Sequence, residues 1–119
     1  MKILVIGNRE DQLKDFKQSL TQKNHQVIAI RENEKIPDEW TPDRVIICGE
    51  MNRNFAPLDV AAAIAHRFGS VRIMSNADCP NLKRHHHGLA IEYFYSKGRL
   101  MKAIDAVRKP GVNLFASSG

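Results

Sequence analysis

The chain has 119 residues, 43% of them hydrophobic, and a formal net charge of +5. That make-up suits one globular domain with a single core, and no apolar run approaches the roughly 20 residues of a membrane span. Two cysteines, Cys48 and Cys79, make no disulfide framework and fit a reducing compartment. The apolar run after Met1-Lys2 is too short for a signal-peptide core, so a cytoplasmic location is expected.

In chain order, Lys2 to Gly7 reads as a buried strand, and Glu10 to Lys23 as a helix with Leu13, Phe16 and Leu20 on one face. Gln26 to Ile30 reads as a second strand. Arg31 to Thr41 is short and polar, holds Pro37 and Trp40, and has room for one helical turn at most. Val45-Ile46-Ile47, led in by Pro42-Asp43-Arg44, has the pattern of a doubly buried central strand ending at Cys48-Gly49-Glu50. A loop from Glu50 to Ala56 leads into an alanine-rich helix, Pro57 to Phe68, with Gly69 as its C-terminal cap. Val71 to Ser75 is the fourth strand. Asn76 to Gly88 is polar and could carry a short helix, Ala90 to Tyr95 is the fifth strand, and Arg99 to Lys109 is a helix stopped by Pro110-Gly111.

Five strands alternating with helices predict an α/β fold with a parallel sheet and right-handed crossovers. The economical arrangement is the flavodoxin-like order 2-1-3-4-5, with helices on both faces and a shortened or missing second helix. The domain spans residues 1–110, and 111–119 form a loose tail. In such sheets ligands and chemistry collect at the carboxyl ends of the strands, which directs attention to the tip at Cys48.

Over residues 1–110 the layout resembles the receiver domain of two-component response regulators. In that family the first strand ends in a pair of acids, and Gly7 and Asn8 stand at those positions here. The family's third strand reads proline-aspartate, four mostly apolar residues and the phosphate-accepting aspartate. Pro42-Asp43-Arg44-Val45-Ile46-Ile47 puts Cys48 at that place, with Met51 matching a common methionine. Ser75 matches the threonine or serine ending the fourth strand. Lys97 matches the lysine ending the fifth, although Gly98 replaces the usual proline, and Phe94 stands at the place of the family's switch aromatic.

The departures bear on the chemistry. Phosphoryl transfer to a receiver needs a carboxylate nucleophile and a divalent cation, and a hard cation wants carboxylate oxygens. Gly7 and Asn8 supply none, and Cys48 is the wrong nucleophile, although Glu10, Asp11 or Glu50 could lean in. The resemblance therefore implies a pseudo-receiver whose phosphorylation site (Gly7, Asn8, Cys48, Ser75, Lys97) is degenerate. No catalysis, cofactor or metal is expected.

Other features carry less. The run His85-His86-His87 cannot turn all three rings to one ion on a helix, and its spacing to Cys48 and Cys79 matches no known zinc site. Gly7-Asn8-Arg9 lacks the further glycines of a dinucleotide fingerprint. Charge is more informative. Residues 1–80 are neutral overall, so the whole excess lies in 81–109, on Lys83, Arg84, Lys97, Arg99, Lys102, Arg108 and Lys109 against Glu92 and Asp105. Receivers dock partners through the fourth helix, fifth strand and fifth helix, which by resemblance is the same segment. The expectation is a regulatory module that docks a protein with an acidic surface, or a second copy of itself, through Lys83, Arg84, Phe94, Lys97, Arg99, Lys102, Arg108 and Lys109. The alternatives are a nucleic-acid-associated regulator, a small-anion or nucleotide sensor at the strand ends, and a redox or metal sensor built on Cys48 and Cys79. A role at the membrane is not expected.

Overall fold

The computed structural model of the chain describes residues 1–31, 34–48, 57–69, 71–75, 91–94 and 96–105. Their elements are β1 (Lys2–Gly7), α1 (Glu10–Gln22), β2 (Gln26–Arg31), β3 (Arg44–Cys48), α2 (Pro57–Phe68), β4 (Arg72–Ser75), β5 (Ile91–Tyr93) and α3 (Lys97–Ile104). The strands form one sheet in the order β2-β1-β3-β4-β5, and every pairing is parallel. The fold is α/β with the 2-1-3-4-5 order, as the alternation of patterns predicts.

Strand periodicity divides the core in two. Ile3, Val5, Ile46, Cys48 and Met74 point to one face, where they pack with Leu13, Phe16 and Leu20 of α1 and Leu100 and Ile104 of α3. Leu4, Ile6, Val45, Ile47, Ile73 and Ile91 point to the other, against Ala61 and Ile64 of α2. β1 and β3 are buried on both faces, which explains their unbroken apolar sequences. Burying each such side chain contributes about 1.5–3 kcal/mol before conformational entropy is counted.

Two helix ends have a backbone reason. α1 stops where Asn24 adopts φ 67°, with the N–H of Asn24 on the Thr21 carbonyl and that of His25 on the Leu20 carbonyl. α2 ends at Gly69, whose φ of +66° suits glycine.

Residues 34–43 contain no helix, so the second crossover is indeed abbreviated. An irregular segment with a turn closed by the Trp40 N–H on the Pro37 carbonyl takes the helix's place. Ile36 and Trp40 fold onto the β2 side of the α2 face, and the Arg67 guanidinium of α2 donates to the Pro37 carbonyl at 3.0 Å.

Three boundaries in the last elements differ from expectation: β5 ends at Tyr93 rather than Tyr95, the last helix begins at Lys97 rather than Arg99, and it ends at Ile104, with Asp105 as C-cap, rather than at Lys109. Ser96 is the reason for the second: its hydroxyl accepts the Arg99 N–H at 3.2 Å and caps α3 two residues early. The expected loop 50–56, the helix within 76–88, the stop at Pro110-Gly111 and the tail 111–119 lie outside the described residues.

Candidate functional site

The sheet order brings the tip residues together as the strand pattern requires. Gly7 of β1 is the register partner of Cys48 of β3, and Ser75 of β4 partners Ile47. Gly7, Cys48 and Ser75 therefore share the carboxyl edge of the three central strands, with Asn8 half-buried just beyond β1.

Cys48 and Ser75 are buried, with apolar neighbours among the described residues. Cys48 is a free thiol with no exposed surface, packed in the cluster that contains Leu13 and Phe16. Burial pushes its pKa from 9.0 up to about 12, with Lys97 pulling weakly down and Asp15 adding slightly. The thiolate needed for nucleophilic or metal-binding work is thus strongly disfavoured at neutral pH. Gly7 contributes to the closure. A Cβ there would lie 3.1 Å from Cys48 Cβ and 3.1 Å from Leu13 Cδ2, so no side chain fits without displacing one of them. Ser75 is buried, and its hydroxyl donates to the Ile47 carbonyl at 3.0 Å, tying β4 to β3.

Lys97 does not end a strand, where the resemblance to receivers would put it. It opens α3 and reaches across to α1. Its Nζ lies 2.6 Å from Asp15 Oδ2 and 2.7 Å from Ser19 Oγ, with the Phe16 ring 5.4 Å away. The carboxylates that could lean toward the tip are also engaged. Asp11 holds Arg9 through two contacts, and the Arg9 hydrogen bond lowers its pKa. Glu10 lies 3.5 Å from both Lys14 and Arg31. Glu50 lies outside the described residues. Among the described residues no group of three His, Cys, Asp or Glu gathers as a cation site.

Of the basic face, Phe94, Lys97, Arg99 and Lys102 are described. Phe94 is half-buried against the α1–α3 cluster, and its N–H donates to the Ser75 carbonyl at 2.8 Å, so it sits directly beside the tip. Arg99 and Lys102 are exposed on α3. Lys83, Arg84, Arg108 and Lys109 lie outside the described residues, as do Cys79 and His85-His86-His87.

Two charged arrangements escape a reading by apolar periodicity. Arg72 and Glu92 form a two-pronged pair at 2.9 and 2.7 Å between β4 and β5, and Arg72 also donates to the Ala103 carbonyl of α3. Opposite charges inside two neighbouring apolar strands were the available signal. At the other end of the sheet, Asp105 lies 3.0 Å from His25 Nε2 and 3.8 Å from Lys23 Nζ, linking α3 to the α1–β2 turn.

No family model matches the chain, and no curated protein matches it. Solved structures do. One, described as the yeast Spc42 trimeric coiled coil, amino acids 181–211, fused to another structure, is similar with a TM-score of 0.66. It is 16% identical, and the match covers 87% of this chain and 74% of that one. At that identity the likeness extends to the fold alone.

Proposed function

We propose that this chain is a non-catalytic regulatory module, a pseudo-receiver that docks an acidic protein partner through α3 and its surroundings without gating by phosphorylation. One observation carries the reading. At the place where a receiver accepts phosphate, the chain has Cys48, fully buried, with Gly7 and Leu13 closed over it. Phosphoryl transfer needs an accessible carboxylate and room for a cation, and among the described residues this corner presents neither.

The accessory residues support it. Lys97 is committed to Asp15 and Ser19, and Ser75 to a backbone carbonyl. They act as braces between elements, which favours a tip with one fixed arrangement. The exposed charge on Arg99 and Lys102, within a segment holding the whole net positive excess, favours an acidic partner.

The test is charge reversal of Arg99, Lys102 and Arg108 to glutamate, followed by affinity capture and binding measurement with each partner recovered. The partners retained by the unaltered chain are expected to be lost. Retention of the same partners at the same affinity would overturn the assignment of the face. Capture of nucleic acid alone, with affinity falling steeply in salt, would favour the nucleic-acid reading instead.

A further inference from the structure

β2 is an edge strand, and its outer side is open among the described residues. The Gln26 N–H donates to the Met1 carbonyl at 2.9 Å, so the backbone groups of Gln26 face β1. Alternation along the strand then turns those of Ile28 and Ile30 inward and those of Val27, Ala29 and Arg31 outward. Arg31 agrees with this: its N–H donates to Glu34 Oε1 at 2.9 Å, and its carbonyl accepts the Glu34 N–H at 3.0 Å. Glu34 thus closes the far end of the edge. Val27 and Ala29 are left presenting donors and acceptors to solvent, in a stretch, Gln26 to Ile30, with no charge and no proline to block pairing.

Beside this edge lies a cleft of about 230 Å³ between α1 and β2, floored by Leu13 and Ala29 and rimmed by Lys14, Lys17 and Arg31 against Glu10 and Glu34, which leaves the rim net positive. Glu10 offsets Lys14 and Arg31 at 3.5 Å each, whereas Lys17 has no ion pair among the described residues. The rim decides between occupants. Two copies paired through β2 in the register that satisfies the outward groups would set Val27 against Ala29 about a dyad at Ile28. That arrangement also brings the lysine rims of both α1 helices together, like charge to like charge. A strand carrying carboxylates on that side meets the opposite field.

We propose that the β2 edge accepts an extended acidic strand from another protein. The strand hydrogen-bonds to Val27 and Ala29, sets alternate carboxylates toward Lys14, Lys17 and Arg31, and lays its apolar residues on the side of Ile28. This surface is separate from the α3 face, so the chain could hold two segments at once.

The probe is a blocked hexapeptide alternating glutamate and valine, titrated into the isotope-labelled full chain with amide shifts and hydrogen exchange as readouts. Saturable shifts and slowed exchange are expected at Val27 and Ala29. Ala29→Pro removes only an outward donor, so it is expected to leave the free fold unchanged and to abolish binding. Lys17→Glu is expected to weaken binding by about tenfold or more. Equal binding of the lysine-valine counterpart, indifference to Ala29→Pro, or no shift at all would overturn the proposal. So would slow exchange of Val27 and Ala29 in the peptide-free chain, because a second copy or the chain's own remaining residues would then hold the edge.

Discussion

At the residue scale, Cys48 and Gly7 decide what the sheet tip can be. A thiol with a pKa of about 12 in the folded chain ionises more readily once unfolded, near its ordinary 9.0. The unfolded state therefore binds fewer protons above pH 9, and stability falls as pH rises from about 9 toward 12. That contribution has a limiting slope of about 1.4 kcal/mol per pH unit, and it is absent below pH 9. Urea unfolding at several pH values should show the native chain losing more stability over this range than Cys48→Ala, and parallel profiles would contradict the burial argument. Restoring an acid at the tip is a second test. Gly7→Asp sets a Cβ 3.1 Å from both Cys48 Cβ and Leu13 Cδ2, and a loss of about 1–3 kcal/mol is expected from overpacking. Unchanged denaturation would mean that the tip has room. The position of Cys48 was legible from the Pro42-Asp43 lead-in, because one strand's length fixes where it ends. Lys97 was less so, since Ser96 caps a helix early and turns the lysine onto α1.

At the element scale, the buried Arg72–Glu92 pair joins β4, β5 and α3 where β5 is only three residues long. Glu92→Ala leaves the guanidinium, only 12% exposed, without its carboxylate, and about 3–5 kcal/mol should be lost in chemical denaturation. Replacing both residues with apolar ones of similar volume should recover most of that loss. A Glu92→Ala variant as stable as the native chain would show that β5 is held by packing alone. Apolar periodicity gave α1, α2 and the central strands directly, because each buries one stripe or both faces. It could not reveal the pair, which depends on a diagonal contact between strands 20 residues apart in sequence. The abbreviated second crossover was legible from polarity and Pro37. What replaces the helix was not, since Ile36 and Trp40 find their places only once Arg67 of α2 is there to hold the segment.

At the scale of the whole molecule, the alternation of strands and helices was enough to reach the 2-1-3-4-5 sheet, because short parallel crossovers leave few topologies open. The proposed function rests, in the sequence, only on the residues standing at the carboxyl edge and the uneven spread of charge. The predicted order already put β2 at an edge, but its edge chemistry was not legible, because the Glu34 contact with Arg31 and the cleft against α1 arise only from tertiary packing. The proposed account makes the tip a closed brace and leaves binding to the molecule's surfaces. Amide NMR of the chain with beryllofluoride and Mg²⁺ tests this most directly. The account predicts unchanged shifts at Gly7, Cys48, Ser75 and Lys97 at every concentration of the complex. Saturable shifts clustered at those four residues would contradict it, since a phosphoryl analogue would then have found an acidic pocket and the domain would be a phosphorylation switch.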